Sequence, residues 1–189
     1  VTFIDDLIGK ILGAVEQNGL GDNTQIFYLS DHGDNIGERD LWGKSNFYEE
    51  SVGIPCIIKG PGIPVEKTVK TPVSLIDVCP TILKTAGITP EAKPGTSLVD
   101  LANAEDNLDR LVFSEYHAVG SATGAFMIRK GQWKLLYYVS MQPQLFNLVD
   151  DPEELHDLGA NPKHEGIRRQ LEAELRSICD PEAVDAMAK

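Results

Sequence analysis

Residues 28–45, YLSDHGDNIGERDLWGKS, hold the side chains of this sequence best equipped for chemistry. Asp31 and His32 stand side by side, and Lys44 follows thirteen residues after the aspartate. A carboxylate and an imidazole are good ligands for a divalent cation, and a loop lets both converge on one point. Lys44, directly after Gly43, offers a positive charge that could neutralise an anionic substrate oxygen or leaving group. A plainer reading also fits. Asp31 would cap a turn and His32 bond to backbone, while Lys44 would be solvated. Residue types alone leave both readings open.

His117, in SEYHAVGS, follows a predicted strand and precedes a Gly/Ser/Ala stretch, a common setting for substrate-facing residues. A satisfied or solvated histidine fits equally. Glu38 and Arg39 read as a local ion pair, Asp77 as part of its helix, and Tyr137 and Tyr138 as sheet residues. Several chemistries are excluded. Counted from Asp31, the third, sixth and twelfth positions are Gly33, Ile36 and Trp42, which is not an EF-hand loop. Glu38 stands where a P-loop ending in Gly43-Lys44 needs glycine. No G-x-S-x-G elbow exists, so a Ser-His-Asp triad has no support.

These residues must be positioned by the elements around them. Residues 2–18 carry apolar side chains at 3, 4, 7, 8, 11, 12 and 15, a helical stripe with Thr2 as N-cap and Gly19 as stop. TQIFYLS (24–30) reads as a strand buried on both faces, and IPCIIKG (54–60) as a second. The stretch from Asp31 to about Lys44 reads as a polar loop, NFYEESVG as a short helix, and 73–87 as a helix begun or kinked at Pro80. This is α/β grammar, in which sites lie beyond the carboxyl ends of strands, and Asp31 sits at such an end. After a polar linker at about 89–109 come strands in RLVFSEYHA, GAFMIRKGQWKLLYYV and QLFNLVDDPEEL, with a hairpin at RKGQ (129–132) and a helix at about 163–178. Two units are expected, 1–108 from the α/β sheet and 109–189 as a small antiparallel sheet with a terminal helix.

The chain of 189 residues is 42% hydrophobic and long enough for a real core. With 17 basic and 29 acidic residues, its net charge of −12 disfavours nucleic acid and anionic membrane surfaces as partners. An anionic substrate therefore needs a local positive element. No apolar stretch approaches the ~18 residues of a transmembrane helix. The three cysteines lie far apart, and Cys56 and Cys79 read as small core hydrophobes. That usage fits a cytoplasmic setting. The start at Val1, without Met, leaves a periplasmic or secreted one open. Oligomeric state is not legible.

Taken together, the segments resemble the C-terminal part of a type I, formylglycine-dependent sulfatase of the alkaline phosphatase superfamily. IFYLSDHGDNIGERDLWGKSNFYEESVGIPCIIKGPG resembles that family's metal-and-lysine segment, and TPVSLIDVCPTILKTAGI the helix that follows. MIRKGQWKLLYY and QLFNLVDDPEELHDL resemble its closing antiparallel sheet, and SEYHA is most similar to choline-sulfatase-like members. The resemblance implies a partial alkaline-phosphatase-like α/β sheet, followed by the small antiparallel subdomain and its helix. It implies a divalent cation, usually Ca²⁺, with Asp31 and His32 as ligands. Lys44 would contact the sulfate or assist the leaving group, and His117 would line the pocket for a small sulfate ester.

One departure dominates. The family's nucleophile is a formylglycine made in a C/S-x-P/A-x-R motif. Cys56 is followed by IIKG, Cys79 by PTIL and Cys179 by DPEA, and no serine fits. The early acidic pair that completes the metal cage is absent too. The chain is therefore expected to be a fragment holding the stabilising half of a site and lacking the attacking half. A phosphonate monoester or phosphodiester hydrolase of the same superfamily, or a non-catalytic sulfatase-like binding domain, stands as the alternative.

Overall fold

A computed structural model describes residues 1–89, 94–118 and 120–189. The predicted first helix is present as α1 (Thr2–Gln17), and Gly19, at φ 67°, ends it in the left-handed region. Thr2 is not its cap. The Val1 carbonyl accepts the first helical N–H groups, from Ile4 and Asp5, which places Thr2 inside the helix. No residue of α1 is buried, and Phe3 and Ile11 of its apolar stripe are 74% and 64% exposed.

Beyond α1 come β1 (Ile26–Leu29), β2 (Asn35–Ile36), β3 (Trp42–Gly43), α2 (Glu49–Val52) and β4 (Cys56–Lys59). β1 and β4 pair antiparallel, Ile26 opposite Lys59 and Leu29 opposite Cys56. The expected burial on both faces is corrected here. β1 is half-buried and β4 largely exposed, because the pair is a two-stranded ribbon whose outer apolar face no described element covers. Cys56, on that ribbon, is exposed for the same reason, and Cys79 is exposed as well, against the expectation of core packing.

α3 (Val78–Thr85) holds Pro80 in its first turn, where a missing N–H breaks no helical bond. Asp77, just before it, is a fully buried hub. Its carboxylate accepts N–H bonds from Ser74 at 2.9 Å and Thr96 at 2.8 Å and pairs with Arg110 at 2.6 Å. Within the expected linker lies a helix, α4 (Leu98–Asn103). Buried Leu98 and Ala102 hold it, and the Leu98 N–H donates to Thr81 Oγ1 at 2.8 Å. Residues 90–93 of that linker fall outside the described residues.

The C-terminal part is one antiparallel sheet of β5 (Val112–Tyr116), β6 (Ala125–Lys130), β7 (Trp133–Tyr138) and β8 (Gln144–Asn147), in that order. Lys130 faces Trp133 across the two-residue turn Gly131-Gln132, with Gly131 at φ 57°, so the hairpin falls where RKGQ predicts it. Phe126, Ile128, Leu135 and Leu145 pack on Leu171 and Leu175 of α5 (Glu165–Ile178). A last helix, α6 (Pro181–Ala188), is tied down by Glu182, which meets Arg176 at 2.7 Å and the Tyr137 hydroxyl at 2.5 Å. Those bonds, Arg176 first, hold the Glu182 carboxyl at about 2.

The opposite face of the sheet carries the connection to the site. There Ala125, Met127, Leu136 and Phe146 enclose Phe47, with Tyr48 and Val52 partly buried beside it. The segment after Lys44 is thus core to the C-terminal sheet.

The two surfaces differ in energetic weight. Leu171→Ala, at a fully buried position, is expected to cost about 2–5 kcal/mol. Ile11→Ala, on the uncovered stripe of α1, should stay within about 0.5 kcal/mol. Urea unfolding followed by circular dichroism checks both, and equal costs would show that α1 is packed.

Candidate active site

Ser30 to Gly33 turn sharply off the carboxyl end of β1, and the turn is built from its own polar groups. Asp31 Oδ1 accepts the His32 N–H at 3.0 Å, and Ser30 Oγ donates to the His32 carbonyl at 2.7 Å. The first of these bonds is the chief reason that the Asp31 carboxyl sits below its ordinary value of 3.8. The side chain is 82% exposed, so Asp31 is an ionised carboxylate presented to its surroundings.

His32 Nδ1 lies 2.7 Å from the Gly33 carbonyl oxygen. A carbonyl only accepts, so in the neutral ring Nδ1 carries the proton and Nε2 presents its lone pair. That nitrogen is 3.3 Å from Asp31 Oδ2 and 2.5 Å from Lys44 Nζ, whose ammonium donates to it. The capped turn of the plainer reading is present, and Lys44 meets His32 beside Asp31 in the same place.

Lys44 returns to this point because residues 34–43 are a small hairpin, a feature the plain polar loop of the sequence reading missed. β2 pairs with β3, Asn35 opposite Gly43 and Ile36 opposite Trp42. The fully buried Asn35 amide donates to the Gly43 carbonyl at 2.6 Å. α2 then seats both arms. The Gly33 N–H donates to the Ser51 carbonyl at 2.8 Å, and Ser51 Oγ donates to the Lys44 carbonyl at 2.5 Å. Gly33 is required by proximity, since a Cβ there would stand 2.0 Å from the Glu50 carbonyl oxygen.

The expected Glu38–Arg39 pair is corrected. Glu38 accepts the Ile36 N–H at 2.8 Å. Arg39 instead pairs with Glu50, donates to the Glu153 carbonyl at 2.5 Å and lies 4.2 Å above the Tyr48 ring. The hairpin tip bends Arg39 over, with its φ at 53°.

Asp31, His32 and Lys44 open onto a cavity of about 580 Å³ that Ser114, Tyr116 and Arg129 also line. The Tyr116 hydroxyl is 3.1 Å from Ser45 Oγ. His117 is not brought to this cavity. It packs edge-on against Phe126, ring centroids 5.2 Å apart, within the cluster beneath α5, with Nε2 3.5 Å from Glu115. Strand alternation carries the signal that sequence reasoning missed. Tyr116 pairs with Ala125 on the site face, so its neighbour His117 belongs to the other side.

As a cation site, the pair fits in part. Asp31 and His32 bring an ionised oxygen and an imidazole nitrogen to one point, but Lys44 already donates to that nitrogen, and Ca²⁺ takes 6–8 ligands. Among the described residues no group of three or more His, Cys, Asp or Glu side chains could hold a metal ion. Also among the described residues, no helix is long and apolar enough to cross a membrane.

Comparison with known proteins bears on the chain as a whole. The sulfatase family model matches residues 1–88. A choline-sulfatase of Rhizobium meliloti (strain 1021) is 37% identical over 196 residues, covering 100% of this chain and 38% of its own length. Arylsulfatase K of Mus musculus is 37% identical over 194 residues, covering 96% and 35%. BT4656, solved with its substrate D-glucosamine-2-N,6-O-disulfate, superposes with a TM-score of 0.80 at 27% identity, over 93% of this chain and 38% of that one. Phosphonate monoester hydrolase from Silicibacter pomeroyi has a TM-score of 0.80 at 25% identity, over 92% and 38%. The chain belongs to the sulfatase family and has its alkaline-phosphatase-like α/β fold. It spans between a third and two-fifths of the length of these relatives.

Gly33→Ala tests the seat of the turn. Forcing a methyl against the Glu50 carbonyl is expected to cost about 1–3 kcal/mol, by analogy with overpacked cores. The melting temperature should fall and the His32 ring resonances should shift. An unchanged melting curve and spectrum would show that the turn does not rest on α2.

Proposed function

We propose that this chain is the metal-and-lysine part of a sulfuric ester hydrolase, acting with a formylglycine nucleophile supplied by sequence outside these 189 residues. The observation that carries the reading is the meeting of Asp31, His32 and Lys44 at one edge of a cavity, in a chain of sulfatase descent. The relatives' greater length leaves room for the nucleophile, and no C/S-x-P/A-x-R motif occurs here. The apolar faces of α1 and of the β1–β4 ribbon are where that remaining sequence would pack.

In this reading the chain's residues do electrostatic work. Asp31, its carboxyl held low, stays ionised across physiological pH, and the Nδ1–H bond to Gly33 fixes His32 with Nε2 turned toward Asp31 and Lys44. Together they would give two ligands to a divalent cation, most simply Ca²⁺, which when bound offsets negative charge on the sulfate oxygens. Lys44 donates to the substrate oxygen on which charge develops as the S–O bond breaks. With Arg129 it supplies the local positive charge that a chain of net charge −12 needs to take an anion. The substrate would be a small sulfate ester, and BT4656, solved with a sulfated sugar, supports that class. The three unpaired cysteines fit a cytoplasmic setting. A phosphonate or phosphodiester substrate is the second reading, favoured by the shared fold of the Silicibacter pomeroyi enzyme.

Assay of the whole protein on aryl sulfate and aryl phosphonate esters side by side tests this directly. Sulfate should be hydrolysed faster, and Lys44→Ala should lower kcat by about 10²–10³, the usual loss for one donor to a developing oxyanion. The isolated 189-residue chain should show no turnover. Faster phosphonate cleavage would favour the second reading. Turnover by the isolated chain, or an indifferent Lys44→Ala variant, would overturn the first.

A further inference from the structure

A lysine, Lys134, is fully buried in β7, at a position where strand alternation calls for an apolar side chain. Its ammonium donates to Glu49 Oε1 at 2.8 Å and stands 2.8 Å from Glu154 Oε1 as an ion-pair contact. The Glu154 side chain is itself wholly buried, and its backbone is held at φ 52°. Arg129 approaches Glu49 from the other side at 3.8 Å. Burying charges in this way is costly compared with a well-packed apolar core, and removing one partner leaves the others uncompensated. Stability alone gives little reason for such a cluster.

Its geometry points to a different task. Glu154 Oε2 accepts the N–H of Glu49 at 2.6 Å, capping α2 at its first residue, while Lys134 grips the Glu49 side chain. α2 is a single turn and cannot hold its shape alone. One residue earlier in the same segment, the Glu153 carbonyl accepts from Arg39 at the tip of the hairpin. The stretch 153–154 therefore holds both the tip of the hairpin and the first residue of α2. From α2 the connection is direct, since Ser51 accepts from the Gly33 N–H and donates to the Lys44 carbonyl.

We propose that Lys134, Glu49 and Glu154 form a positioning cluster for the Lys44–His32 pair, fixing α2 so that α2 fixes both arms of the site. The proposal rests on the reading of those residues as the site. Lys134, Glu49 and Glu154 are positioning residues that reach the cavity only through backbone. Burial pushes the Glu154 carboxyl up, against the pull of the Lys134 ammonium.

The test uses amide hydrogen exchange and NMR on the 189-residue chain, so it needs no turnover. Lys134→Met should speed exchange of the Gly33 amide at least tenfold and weaken the cross-peak between the His32 ring and the Lys44 side chain. The amides of Ile128 and Leu135, in the sheet core, should change less than twofold. In the double variant Lys134→Met/Glu154→Gln, the new amide oxygen can still accept the Glu49 N–H and its NH₂ can donate to the Glu49 carboxylate. Protection at Gly33 should then recover to within threefold of the unsubstituted chain. Unchanged Gly33 exchange in Lys134→Met would overturn the proposal. So would a uniform rise at every amide, or a double variant no better than the single one. Failure of the sulfatase assay with these exchange results intact would sink the functional reading and leave the positioning role standing.

Discussion

The contact on which the rest of the site depends is the seat of Gly33 against α2. The turn bearing Asp31 and His32 has no apolar side chain of its own to bury, and the hairpin bearing Lys44 is two residues wide on each strand. Neither could hold a shape by itself, because one or two backbone bonds do not offset the entropy of ordering ten residues. Both instead close onto one helical turn, whose Phe47 and Tyr48 approach is built into the core of the C-terminal sheet. The absence of a side chain at Gly33 permits that closure. The site is thus assembled from two distant stretches of chain, and its rigidity is borrowed from the sheet.

This arrangement explains which features were legible in the sequence. The hairpin at Gly131 and the helices at 2–17 and 165–178 are written in local periodicity and turn chemistry, and they lie where those signals put them. The Asp31-His32 turn is likewise local, since its bonds run between adjacent residues. The β2–β3 hairpin was opaque, because two-residue strands carry no periodicity and the buried Asn35 bond is specific to the folded loop. α4 was opaque for a related reason. Its six residues are too few to show a helical period, and they are held by a bond to Thr81 that only the fold supplies. Burial was misjudged at Cys56 and Cys79, since an apolar run reports that a face wants cover and not that this chain provides it.

Charge follows the same division. The chain carries an excess of acid, yet the positive groups Lys44 and Arg129 line the cavity. Lys134 is buried beneath the same region, on two glutamates. Arg39, by contrast, is spent wholly on structure, held by Glu50, Glu153 and Tyr48. Sequence spacing alone could not separate these roles, because the acids that hold Arg39 and Lys134 lie far from them along the chain. Their partners across the fold separate them.

The central proposal is that Asp31 and His32 would give a carboxylate and an imidazole nitrogen to one divalent cation. Titration of the 189-residue chain with Ca²⁺, followed by NMR at the Asp31 carboxyl and the His32 ring, tests it most directly. The account predicts weak, saturable shifts confined to residues 30–33 and 44 and lost in the Asp31→Ala variant. Shifts that survive that substitution, or that arise only at acidic clusters elsewhere, would contradict it.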